Sequence, residues 1–268
     1  MNDFKKIIGP HPKAPHPCGM HLSASDAESK HLVPHRMLDE VASGSDALAK
    51  SMTNWIVNHH VSPEAIERDM LRREALARQG FSDPTVRFPQ SDKTRKGNWA
   101  EILLAEYVAA SCDTSIPVYR LRYNPNVDQS MKGDDVLAFD LDSDPVRILV
   151  GEAKFRTTPS KQVVLELIES LVRSHSGNIP ASLQFVADRL FESGNNILGE
   201  KVASCNNLFA QGKLRLDYVG LIASGKNMHS YVTAHAQTSV NQLAVVSLAI
   251  DDPAATVTRT FKDAKLLL

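Results

Sequence analysis

The residues best suited to do chemistry are Asp135, Glu152 and Lys154, set in the run 132–155, KGDDVLAFDLDSDPVRILVGEAKF. Two segments rich in Val, Leu, Ile and Phe, 134–141 and 146–155, flank Asp142, Ser143, Asp144 and Pro145, which predicts a β-hairpin. Strand side chains alternate faces, so Glu152 and Lys154 share one face while Gly151, Ala153 and Phe155 take the other. Charges carried into a buried sheet need partners or a metal. Asp135 supplies a second carboxylate from the neighbouring strand, with Asp134 as its rival. Two such carboxylates form a hard oxygen site suited to Mg2+, with Mn2+ as a substitute. An ammonium beside that ion can orient or deprotonate an attacking water, so the implied chemistry is phosphodiester hydrolysis.

Glu-x-Lys by itself carries little information, because ordinary Glu and Lys usage produces it about once per few hundred residues. Glu28, Ser29 and Lys30 form a second copy here, in a polar stretch with no hydrophobic pattern around it. Only the Glu152 copy combines a strand, a preceding hairpin arm and a Gly133-Asp134-Asp135 approach. The bland alternative is a salt-bridged pair at a sheet edge.

The elements that would position these residues can be read from periodicity. Apolar residues at helical spacing predict a helix over 45–59, and Ser62 followed by Pro63 predicts the N-cap and first turn of another, ending at Gly80. A basic stretch, 91–96, leads into a predicted helix over 98–111 that is apolar nearly all round. Glu101, early in that helix, can reach the hairpin metal or pair with Arg95 or Lys96; Glu106 lies too far along the helix to share the same ion. IPVYRLRY at 116–123 predicts a strand. Thr158 with Pro159 predicts the start of a helix running to His175, whose N-terminal N–H groups, with Arg156, Lys161 and Gln162 beside them, suit a phosphate or the catalytic water. Amphipathic helices are expected over 181–192 and 196–211, and strands over 214–224, 228–234 and 243–250, with His229 and His235 on a strand flank.

Composition narrows the class. At 268 residues, 43% hydrophobic and 23% charged, the chain reads as an ordinary globular protein. Thirty Lys and Arg against 31 Asp and Glu leave a net charge of −1, which weighs against a stand-alone high-affinity DNA binder and implies local patches or a partner. Three scattered cysteines, Cys18, Cys112 and Cys205, suggest neither a disulfide framework nor a metal knuckle, and point to a reducing cytoplasm. No apolar run approaches membrane-spanning length, so no membrane association is expected. Residues 1–36, with five prolines, predict an extended or disordered arm; 37–88 predict a helical N-terminal region, and 89–268 the domain that holds the site. His16, Cys18 and His21 fit no good zinc spacing.

A helix with an early glutamate, three strands carrying Asp and then Glu-x-Lys, a helix and a further strand together resemble the PD-(D/E)xK, restriction-endonuclease-like nuclease superfamily over about residues 90–224. The resemblance implies an α/β (α+β) fold: a central mixed sheet flanked by helices, preceded by the helical N-terminal region. It makes Asp135, Glu152, Lys154 and Glu101 the catalytic set, with Asp135 and Glu152 as metal ligands. No proline precedes the aspartate; Gly133 and Asp134 stand there instead. Within the superfamily, KGNWAEILLAEYV, GDDVLAFDL and GEAKFR make the chain similar to the nuclease subunits of Hachiman anti-phage defence systems. That likeness implies a bacterial, cytoplasmic effector that degrades DNA and is held in check by a superfamily 2 helicase partner. A subunit that binds helicase or DNA without cutting is the alternative from another class; a site-specific restriction enzyme or junction resolvase is a third.

Overall fold

A computed structural model describes residues 4–41, 45–177 and 179–268. Two short helices, α1 (Phe4–Ile7) and α2 (Pro17–His21), lead into β1 (Leu22–Glu28) and β2 (Pro34–Glu40). Helices α3 (Ser45–His60), α4 (Pro63–Arg78) and α5 (Asp92–Ser111) follow, then a single 3-10 turn, Arg120–Tyr123. The hairpin β3 (Val136–Asp140) and β4 (Val146–Arg156) comes next, then α6 (Lys161–Ser176), α7 (Leu183–Glu192) and α8 (Asn196–Ala210). The chain closes with β5 (Leu214–Ser224), α9 (His229–His235), β6 (Leu243–Ala249) and α10 (Pro253–Lys265). Among the described residues the strands form one six-stranded sheet in the order β1-β2-β6-β5-β4-β3. The two outer pairs are antiparallel and β2, β6, β5 and β4 run parallel. The result is a mixed α/β fold with helices on both faces.

Each face has its own apolar core. On one side Val136, Leu149, Val219 and Val246 pack with Leu48, Met52 and Ile56 of α3, with α5 around Trp99 and Tyr107, and with Phe261 of α10. On the other, Leu137, Val150, Ile222 and Val245 pack with α6 through Val163, Leu167 and Leu171, and with α7 and α8. A central sheet buried on both faces explains why β5 and β6 read as nearly continuous apolar runs. Among the described residues, no helix is long and apolar enough to cross a membrane.

Several sequence expectations need correction. The expected extended or disordered arm over 1–36 instead contributes β1 and the start of β2, whose parallel partner β6 lies about two hundred residues away. Arg36 of β2 is buried and donates twice to Asp26 of β1, at 2.7 and 2.8 Å, so a polar segment is held in the sheet by a side-chain clamp as well as by its backbone. No strand is assigned over 116–123: the one isolated bridge among the described residues, Ser115 with Phe139, lies just before it, and Arg120–Tyr123 is a 3-10 turn. Pro117 lacks the N–H a ladder needs. Residues 229–235 are helical where a strand is expected, which puts His229 and His235 on α9. Ser160, rather than Thr158, caps α6, its hydroxyl accepting from the Val163 N–H. Helix α5 starts at Asp92, so the basic stretch is its first turn and Glu101 sits in its middle.

Candidate active site

The hairpin pairs Val136 with Gly151 and Leu137 with Val150, which brings Asp135, one residue before β3, alongside Glu152. Gly133 makes the approach, with φ of +105°, a conformation costly for a residue with a side chain. Gly151 allows close packing behind the site, since a Cβ there would lie 2.9 Å from both Leu104 and Val136. Glu152 and Lys154 share a face as the strand alternation predicts, and the Lys154 Nζ donates to Glu152 Oε1 at 2.5 Å. Phe155 points the other way, edge-on to Trp99 of α5.

The two neighbouring aspartates have separate surroundings. Asp134 is buried and engaged as structure: one carboxylate oxygen accepts from the Ser174 hydroxyl at 3.1 Å and the other from the Ser182 N–H at 3.1 Å, while its own N–H donates to the Ser182 hydroxyl. It ties the hairpin to the end of α6 and the start of α7. Among the described residues Asp135 accepts from the Ala153 N–H alone, at 2.9 Å, and feels Glu152 and Glu101 electrostatically. Burial, then the charge of Glu152, pushes its carboxyl up to about 6. Burial, then the charge of Asp135, raises Glu101 well above the ordinary carboxylate range, and the Arg120 guanidinium only partly offsets this.

Glu101, Asp135, Arg120 and His59 line one small cavity of about 30 Å3 at the edge of the sheet, beside β3. Glu152 faces a second, open cleft of about 400 Å3 bounded by Gly133, Asp134 and the C-terminal half of α6 at Ser170, Arg173 and Ser174. Acidic oxygens therefore separate a water-sized hole from a surface groove. Among the described residues no three His, Cys, Asp or Glu side chains are arranged to cage a metal by themselves. Buried carboxylates that repel one another are a donor set that fits a hard divalent cation taking one or two protein ligands and keeping its waters.

The other expected contacts are placed differently. Arg156 donates to Glu166 at 2.6 Å and Gln162 donates to the other oxygen of the same carboxylate at 3.3 Å, so both are drawn onto α6, with Lys161 exposed in its first turn. Glu101 pairs with Arg120 at 3.7 Å, not with Arg95 or Lys96, and Glu106 turns away to His59 at 2.7 Å. Arg120 is the site residue that sequence reading misses. Its only signal is the basic alternation of IPVYRLRY, which reads equally well as an ordinary strand face.

Fold and site together define a mixed α/β protein with a carboxylate and lysine centre at the rim of its sheet. The model of the HamA family matches residues 21–264. The chain is 37% identical over 243 residues to the Hachiman protein HamA of Bacillus cereus, an alignment covering 90% of this chain and 88% of that protein. The chain belongs to the HamA family.

Proposed function

We propose that this protein is a metal-dependent deoxyribonuclease of restriction-endonuclease-like architecture, acting in the bacterial cytoplasm as the effector of a Hachiman anti-phage system under control of a helicase partner. The observation that carries this reading is the convergence of Asp135 and Glu152 from adjoining strands, with the Lys154 ammonium against Glu152. The family membership and the name of the Bacillus cereus relative support the defence role. Asp135 and Glu152 would hold Mg2+ or Mn2+, with Glu101 beside them; the bound ion supplies polarisation of a phosphate oxygen and an acidified water. Lys154, fixed by Glu152, would orient the attacking water and offset charge growing on the phosphate. The open cleft in front of Glu152, of about 400 Å3 and with Arg173 on its wall, would be where the substrate backbone lies. Arg156 at the end of β4, with Lys161 and Gln162 in the first turn of α6, are the proposed phosphate contacts.

The test is to incubate the purified chain, alone and with its co-purifying partner, with supercoiled DNA and Mg2+, and again with EDTA. Nicking or degradation that EDTA stops supports the reading. Binding without cleavage under both conditions would leave the non-cutting interaction subunit, and discrete fragments would favour a site-specific enzyme.

A further inference from the structure

Two other arginines, buried Arg36 and half-buried Arg87, are each held by two short bonds to one carboxylate, while the enclosed Arg147 donates once to Asp217 and otherwise to the Cys112 and Ile7 carbonyls. Arg36 reaches Asp26 at 2.7 and 2.8 Å, and Arg87 reaches Asp69 at 2.7 and 2.8 Å. Arg120 is different. Its side chain is 12% exposed, its Nε lies 3.7 Å from Glu101 Oε1, beyond hydrogen-bond range, and its Nη1 is enclosed with no hydrogen-bond partner among the described residues. Its remaining nitrogen donates to the Lys132 carbonyl at 3.3 Å. A permanent structural pair would satisfy the fork that a guanidinium offers a carboxylate. This one is loose, and it lines the cavity of about 30 Å3 that Glu101 and Asp135 also line, which has room for a water or a bare cation.

We infer that Arg120 is an internal counter-cation, occupying the charge-balancing role at Glu101 that a divalent ion would otherwise fill, so that metal and guanidinium compete for the same carboxylate. The inference rests on the metal-site reading above. It also assigns a positioning role to the segment that carries Arg120. That segment has one bridge to the sheet and is fastened to the end of α3: Arg122 Nε donates to the Asn58 carbonyl at 2.8 Å, and the His59 ring lies 4.1 Å from that of Tyr119. How far Arg120 reaches toward Glu101 is thus set by a helix outside the hairpin, and a shift of that helix end would withdraw the guanidinium and free the carboxylate.

Calorimetric titration of Mn2+ into wild type, Arg120→Gln and Arg120→Lys tests this without any cleavage assay. Arg120→Gln should bind Mn2+ about tenfold tighter than wild type, equivalent to ~1.4 kcal/mol, and Arg120→Lys should stay near wild type. Equal or weaker binding by Arg120→Gln overturns the inference while leaving the metal site intact. Absence of binding in wild type and both variants refutes the metal reading itself, and this inference with it. Should Arg120→Gln fail to fold, wild-type crystals soaked in Mn2+ give the second measurement. Anomalous density beside Asp135 with Arg120 still against Glu101 refutes the competition; density with Arg120 moved off Glu101 supports it.

Discussion

Replacing Asp135 by Asn should make the metal-free protein more stable at neutral pH. Burial and the neighbouring Glu152 raise the Asp135 carboxyl from its ordinary 3.8 to about 6. A raised folded-state value means that the folded chain binds the proton more tightly than the unfolded one. Stability is therefore greatest below the unfolded value and falls as pH climbs through the folded value. The gap between 3.8 and about 6 corresponds to at most ~3 kcal/mol, at 1.36 kcal/mol per tenfold change in proton affinity. An asparagine carries no charge, and its amide oxygen can still accept from the Ala153 N–H, so most of that penalty should vanish. We expect Asp135→Asn to gain about 2 kcal/mol near pH 7, a rise of roughly 4 °C or more in Tm for a chain of this size, and the gain to shrink toward zero near pH 4. Urea and thermal melts in EDTA across this range measure it. A variant no more stable than wild type at pH 7, or one whose advantage is the same at both ends, would refute the reasoning. Adding Mg2+ should stabilise wild type more than the variant, because the ion neutralises a charge that only wild type carries.

Three further outcomes follow from the geometry. Glu152→Ala and Lys154→Ala should each cut Mg2+-dependent plasmid nicking by about a hundredfold or more while the circular dichroism spectrum stays that of wild type. Asp134→Ala should act on the fold, costing about 2–3 kcal/mol in a urea melt, because it strands the buried Ser182 N–H and unties the hairpin from α6 and α7. Gly151→Ala should cost about 1–3 kcal/mol in Tm-derived stability, since its methyl would meet Leu104 and Val136 at 2.9 Å on the face opposite Glu152.

The hairpin and the elements around it were legible because each is governed by a local pattern. Alternation along 146–155 gave the shared face of Glu152 and Lys154, 3.6-residue periodicity gave α3, α6, α7 and α8, and a long apolar run gave most of α5. What escaped depends on partners remote in sequence. β1 is an edge strand exposed at most positions, so it has no apolar alternation to read, and β2 is defined by pairing with β6. The seven residues of α9 include β-formers such as Val232 and Thr233, and in so short a helix tertiary packing outweighs propensity. The contacts that give Asp134 surroundings different from those of Asp135 were equally invisible, because they come from Ser174 and Ser182, some forty to fifty positions away. Arg120 belongs with these: its guanidinium matters only because the chain leaves the strand direction after Ser115.

The acidic centre and the N-terminal hairpin occupy opposite rims of the same sheet, with five strand spacings, roughly 24 Å, between β3 and β1. All three native thiols are buried. A cysteine introduced at exposed Ser25 would therefore take a fluorophore selectively, far enough from the acids to leave them undisturbed. Tethering or lighting up the molecule from that margin would leave the opposite rim clear of the label.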